Sequence, residues 1–293
     1  MCWLISTIIS PRNYRVIAEF LSDAFKFLLH SKARAGIFRY REAIQSLIFS
    51  HMGQIFLVRH GQASFGSDNY DQLSPLGIEQ AKILGTWFAR CGQRFDRIVT
   101  GGMKRHHQTA EACITALGAH EQLASHSDDG FNEYDHDEIM RRHRPEFADP
   151  KEVKRFLATQ ENAKRLFQQE FEKGMARWMG GQFDHEYKES WQAFRQRCAA
   201  ALGRLMQAEE ASQRIVVFTS GGTISALCQV VLGLPDGQVA QLNWSLVNSA
   251  VTKLMFQNGN NEAGQHAPRI SLSYLNNYAH LESMPDSKAI TYR

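Results

Sequence analysis

Between residues 52 and 293, short apolar runs alternate with long amphipathic segments, and this alternation constrains the fold more than any other feature of the sequence. Runs suited to strands are Gln54–Val58, Arg97–Thr100, Gln122–Ala124, Arg214–Phe218, Ala250–Phe256 and Arg269–Tyr274. Segments with helical spacing are Pro75–Cys91, Met103–Leu117, Lys151–Met179, Lys188–Glu210 and Thr223–Leu232. Helices between strands imply crossovers, hence an α/β chain with a mostly parallel sheet covered by helices on both faces, a three-layer arrangement. Local punctuation agrees: Ser74 and Pro75 fit an N-cap and first helical position, Gly118 a helix stop, and Pro235 follows Gly233. At 43% hydrophobic residues the chain can bury a large core, and functional groups are expected where parallel strands end.

Charge and cysteine usage exclude several classes. The net charge is only +3 and the basic residues are scattered, so no nucleic-acid partner is implied. Five cysteines, Cys2, Cys91, Cys113, Cys198 and Cys228, are widely spaced without a C-x-x-C pair, which fits neither a disulfide scaffold nor a zinc site. A reducing, cytoplasmic setting is the expectation. No apolar stretch reaches the roughly 18 residues of a membrane span, so no integral membrane segment is expected.

Residues 1–51 stand apart. They hold seven basic residues against three acidic ones, and so carry the whole positive balance. Their apolar positions suit two amphipathic helices meeting near Gly36. Such a segment fits a helical appendage, a basic targeting or membrane-surface element, or upstream translation ahead of a start at Met52; the last is preferred because Met52 leads straight into a strand. The working domain is therefore 52–293, with a charged helical insert at about 137–192 expected to cap the sheet's functional edge.

The first strand ends in Val58-Arg59-His60-Gly61. An imidazole at a sheet's carboxyl edge can attack phosphorus, an adjacent guanidinium can hold phosphoryl oxygens, and a glycine lets backbone N–H groups approach an anion. Alone, an R-H-G tripeptide equally describes a strand end making surface contacts. It is followed, however, by Leu73-Ser74-Pro75-Leu76-Gly77-Ile78-Glu79-Gln80-Ala81 and by Arg105-His106-His107-Gln108-Thr109-Ala110. In this order the motifs resemble the histidine phosphatase superfamily, the phosphoglycerate mutase-like fold, with its R-H-G strand end, L-[ST]-x-x-G-x-x-Q-A helix and R-x-x-Q-T-A helix. The match in order of elements runs from about Gln54 to Ser273.

The resemblance implies that His60 is a phosphohistidine nucleophile, that Arg59 and Arg105 bind phosphate, and that no cofactor or metal is needed. Phe131-Asn132-Glu133 looks like the family's acid element and nominates Glu133 as proton donor, with Asp135 as substitute. A metal reading of Asp135, His136, Asp137 and Glu138 finds no recurrent ligand spacing. One departure stands out. Thr219-Ser220-Gly221-Gly222 looks like the family's S-H-G-G, with Ser220 where the second catalytic histidine is expected. Ser220 and Gly221 can still donate to an anion, but a cation is missing, for which His107, Arg141 and Arg142 are candidates. The same T-S-G-G-T-I also resembles an amidohydrolase hydroxyl-nucleophile motif, though there it lies near a domain start and has no R-H-G partner.

Two activities remain within the resemblance. Gln62-Ala63-Ser64-Phe65-Gly66 lacks the tryptophan and asparagine of the sugar-phosphate mutases, which favours a phosphatase acting on a phosphorylated small molecule or phosphoprotein. A non-catalytic phosphate-binding scaffold and a mutase are the alternatives. Arg141-Arg142-His143-Arg144 either binds a second anionic group or forms a charged helix surface.

Overall fold

A computed structural model describes residues 52–64, 71–118, 125–159, 161–207, 213–257, 269–284 and 287–292. The chain divides into two units, and the described residues lie almost wholly in the one formed by Gly53–Phe256 and Ile270–Arg293. The expectations for 1–51, for Phe65-Gly66 and for a strand at Gln122–Ala124 fall outside the described residues.

A six-stranded sheet organises this unit: β1 (Gly53–Arg59), β2 (Arg97–Thr100), β3 (Ser125–Ser127), β4 (Arg214–Thr219), β5 (Val251–Gln257) and β6 (Arg269–Asn277), in the order β3-β2-β4-β1-β5-β6. β1, β2, β3 and β4 pair in parallel, whereas β5 runs antiparallel to β1. The sheet is thus mostly parallel but mixed. Strand β3, Ser-His-Ser and exposed throughout, carries no apolar alternation that could reveal it, as befits a short edge strand.

Alternate residues of the central strands feed opposite cores, as a two-residue side-chain period requires. Phe56, Val58, Ile98, Val216 and Phe218 pack against α1 (Pro75–Arg90) and α2 (Lys104–Leu117) through Leu84, Phe88, Ala110 and Cys113. Ile55, Leu57, Val99, Ile215 and Val217 face the other way, toward α6 (Trp191–Met206) and α7 (Gly221–Leu232). Three layers result. The Ser74 hydroxyl accepts from the Gly77 N–H to cap α1, and Gly118 and Gly233 close α2 and α7 with positive φ.

Between β3 and α6 lie α3 (His136–His143), α4 (Pro150–Thr159) and α5 (Ala163–Met179). The single helix expected over Lys151–Met179 is interrupted. Asn162 adopts a left-handed conformation (φ 62°), which asparagine tolerates, and α5 restarts there. Ile139, Met175 and Trp178 of this region join the core formed by Ile55 and Val217, so the insert shares the sheet's core rather than building its own. Helix α8 (Asp236–Ser245) was not legible, because its apolar residues lack a helical period.

Candidate active site

The sequence motifs prove to be braces for one another. Thr109 Oγ1 accepts from the Gly61 N–H at 3.1 Å, Gln108 Oε1 accepts from the Leu73 N–H at 2.8 Å, and Gln80 Oε1 accepts from the Gln62 N–H at 2.8 Å. A Cβ on Gly61 would strike the carbonyl of Gly77. Gly61 therefore exists to let the strand exit lie against α1. Its N–H is spent on Thr109, not directed at an anion as the sequence suggested.

His60 follows β1 and is 7% exposed. Its Nδ1 lies 2.7 Å from the carbonyl of Gly61, an acceptor, so Nδ1 carries the proton and Nε2 keeps its lone pair. Burial, and then the charges of Arg105 and Arg59, hold the imidazole pKa well below its ordinary value. The ring is consequently neutral, the form that can attack phosphorus. Its backbone is fixed by Asn248 Nδ2 donating to the His60 carbonyl at 3.1 Å and by the Ser249 N–H donating to the carbonyls of Arg59 and His60 at 3.1 and 3.3 Å. Ser249 holds φ at 61°, an uncommon conformation for a residue with a Cβ, and its hydroxyl pairs with His280 Nε2 at 2.8 Å.

Arg59 and Arg105 are 8% and 3% exposed. Arg59 NH1 donates to the carbonyls of Leu246 and Tyr292. Arg105 NH1 pairs with Asp71 Oδ1 at 2.8 Å. Both guanidiniums bear electrostatically on His60 and on Glu133, so the structure gathers the four sequence candidates into one site.

Glu133 sits on the loop after the Asp129–Phe131 turn. Thr219 Oγ1 donates to the Phe131 carbonyl at 2.6 Å, and Thr223 Oγ1 to the Asn132 carbonyl at 3.0 Å. Arg197, held by Glu189 through two hydrogen bonds of 2.7 and 2.8 Å, donates to the carbonyls of Asp129, Gly130 and Asn132. The carboxylate accepts from the Gly222 N–H at 2.9 Å, and a Cβ on Gly222 would collide with it and with Tyr134. Burial raises the Glu133 pKa, outweighing the opposing hydrogen bond from Gly222 and the charge of Arg105. Glu133 also lines a cavity of about 320 Å³ with Tyr134, Trp178, Tyr187 and Arg197. Asp135 is occupied otherwise, its carboxylate accepting from the Glu138 N–H to cap α3.

Ser220, fully buried, precedes α7, and Gly221 opens that helix against Arg59 and Asn243. The Ser220 hydroxyl makes no cap hydrogen bond to the helix; its Oγ lies 2.6 Å from His106 Nε2. None of the candidates named for the missing cation occupies this position. His107 is exposed, with Nδ1 3.2 Å from Thr100 Oγ1. Arg141 and Arg142 are exposed on α3, and Arg142 faces Glu138. His143 and Arg144 both reach Glu170 Oε2 at 3.0 Å, so this basic run engages carboxylates of the insert itself.

Three features escaped sequence reasoning. Arg197 sits mid-helix with no motif around it. His106 was hidden inside a motif whose other members had assigned roles. The segment Ser287–Tyr292 carries no motif, yet its Ala289 carbonyl and Thr291 hydroxyl accept from Gln80, and its Tyr292 carbonyl accepts from Arg59. Only the packing of this segment beside the end of β1 and α1 could reveal the last.

Comparison with known proteins decides the family. The family model of the histidine phosphatase superfamily (branch 1) matches residues 55–166 and 158–267, more than half of the chain. The chain belongs to the histidine phosphatase superfamily. A 2,3-bisphosphoglycerate-dependent phosphoglycerate mutase of Sinorhizobium fredii is 31% identical over 93 residues, 30% of this chain and 44% of that protein. The mitochondrial serine/threonine-protein phosphatase Pgam5 of Drosophila pseudoobscura pseudoobscura is 28% identical over 81 residues, 27% of this chain and 28% of that one. The chain thus spans less than half the length of these curated relatives. The crystal structure of phosphoglycerate mutase from Bacillus anthracis superposes with a TM-score of 0.54 at 16% identity, covering 79% of this chain and 96% of that one. The structure of mycobacterial hydrolase 2 gives 0.51 at 19% identity, covering 77% and 91%. These likenesses establish the phosphoglycerate mutase-like fold. Among the described residues no group of three His, Cys, Asp or Glu is placed to hold a metal ion, and no helix is long and apolar enough to cross a membrane.

Proposed function

We propose that this protein is a metal-independent phosphomonoester hydrolase that works through a phosphohistidine on His60. The observation that carries the reading is the hydrogen bond from His60 Nδ1 to the Gly61 carbonyl in a buried, doubly cationic setting. It fixes the neutral tautomer whose Nε2 is the nucleophile. Arg59 and Arg105 bind the transferring phosphoryl group, with Ser220 and Gly221 completing its surroundings. Glu133, whose pKa is raised by burial, gives its proton to the leaving alkoxide and then, as carboxylate, takes a proton from the water that hydrolyses the phosphoenzyme. The substrate is a phosphorylated small molecule or a phosphoprotein.

A mutase would pass the phosphoryl group to a second substrate hydroxyl rather than to water, and a scaffold would bind phosphate without turnover. The deciding experiment is p-nitrophenyl phosphate hydrolysis by the full chain with and without EDTA, beside His60→Ala, with an alkaline denaturing quench to trap a base-stable, acid-labile phosphoenzyme. EDTA-resistant turnover and a phosphoenzyme, both lost in His60→Ala, are expected. Phosphate binding without turnover would instead identify the scaffold.

A further inference from the structure

Ser220 stands where the superfamily motif has a histidine, and its environment is unusual for a serine before a helix. A serine at that position ordinarily turns its oxygen to the N–H groups of the first helical turn. Here the hydroxyl makes no such bond and instead meets His106 Nε2 at 2.6 Å. Both side chains have no exposed surface. The imidazole arrives from α2, one residue after Arg105, and its ring centroid lies 5.9 Å from that of His60. It packs directly on Gly101, where a Cβ would collide with Nδ1. A position in α2, rather than the end of β4, thus delivers a second imidazole beside the nucleophile.

The hydroxyl has one hydrogen, and the chemistry of an anion dictates where it goes. If Ser220 donated to His106, its oxygen would turn only lone pairs toward a phosphoryl group held by Arg59 and Arg105. If His106 Nε2–H donates to Ser220 Oγ, the hydroxyl hydrogen is free to donate to a phosphoryl oxygen. Nδ1 lies against the Gly101 backbone, whose interaction with the ring falls short of hydrogen-bond geometry, so moving the proton to Nε2 breaks no well-formed bond. We propose that His106 is a positioning residue for phosphoryl transfer: its Nε2–H orients the Ser220 hydroxyl toward a phosphoryl oxygen, and this pair of neutral side chains from two elements takes the place of the second histidine. The pair is expected to favour the transition state over bound phosphate, because a fixed donor is most effective where charge and geometry change during reaction.

This inference rests on the phosphoryl-binding reading of the site, and the test separates the two. Affinities for orthovanadate, which adopts the five-coordinate geometry of transfer, and for inorganic phosphate are measured by calorimetry on the full chain. The proteins compared are wild type, Ser220→Ala, His106→Phe, the Ser220→Ala/His106→Phe double variant and His106→Gln, each checked for folding by circular dichroism. Ser220→Ala and His106→Phe are each expected to weaken vanadate about 10- to 100-fold and phosphate only a few-fold, with the double variant no weaker than either single one. His106→Gln, whose side-chain amide can donate in place of Nε2–H, is expected to stay within about threefold of wild type. Independent, multiplicative losses, or equal losses for vanadate and phosphate, would overturn the pair. If His106→Phe fails to fold, His106→Gln carries the test: a loss in it as large as in Ser220→Ala, or any further loss when it is added to Ser220→Ala, counts against the proposal. A folded wild type that binds neither anion would refute the phosphoryl-site reading itself.

Discussion

Acidification should destabilise this protein through His280, and the size of the effect follows from its surroundings. The ring is 1% exposed, pairs with the Ser249 hydroxyl, and is held by burial at a pKa of about 4 instead of 6.5. In the unfolded chain it takes up a proton near 6.5; in the folded protein it stays neutral until about 4. Above pH 6.5 both states are neutral and nothing changes. As pH falls from 6.5 toward 4 the unfolded state binds the extra proton, so stability drops by about 1.4 kcal/mol per pH unit, about 3 kcal/mol in all. His60 and His106 are depressed in the same direction, so the effect of His280 is isolated by comparison with His280→Gln, which keeps a polar partner for Ser249 and cannot titrate. Urea denaturation followed by the fluorescence of buried Trp178 and Trp191 gives both stabilities at pH 7.5, 6 and 5. The advantage of wild type over His280→Gln should shrink by about 2 kcal/mol between pH 7.5 and 5. A gap constant across that range would refute the reasoning. Because Ser249 holds the backbone of Arg59 and His60, phosphate affinity is expected to fall with stability.

Other consequences concern the chemistry. His60 stays neutral well below pH 6.5 and Glu133 stays protonated above the ordinary carboxylate range, so kcat/KM should peak on the acidic side and fall as Glu133 ionises; a rate flat to pH 9 would remove Glu133 as the acid. Glu133→Gln should cost about 10²- to 10⁴-fold on an alkyl phosphate and much less on the release of p-nitrophenol in the first turnover, measured by rapid quench. Deleting residues 285–293 removes the Tyr292 contact to Arg59 and both Gln80 contacts, and should weaken vanadate at least about tenfold, read by calorimetry. Ser220→His alone places an imidazole where His106 already sits and should lower both melting temperature and activity, whereas Ser220→His with His106→Ala should recover activity; an active single variant would show that the two rings do not compete.

The alternation of apolar runs and amphipathic helices was enough to read an α/β sheet, because side-chain period and chain connection are local properties. The cap at Ser74 and the glycine stops were legible for the same reason. Motif order singled out Arg59, His60, Arg105 and Glu133, since each stands at or near a strand end. What the sequence could not disclose are contacts between elements far apart in the chain. The cross-braces of Gln80, Gln108 and Thr109, the Arg197 clamp on the Glu133 loop, and the return of Tyr292 to Arg59 exist only once the sheet is assembled. The substitution at Ser220 is the clearest instance. Along the chain it reads as the loss of a histidine, and only the packing of α2 beside the end of β4 puts another imidazole, His106, within a hydrogen bond of it.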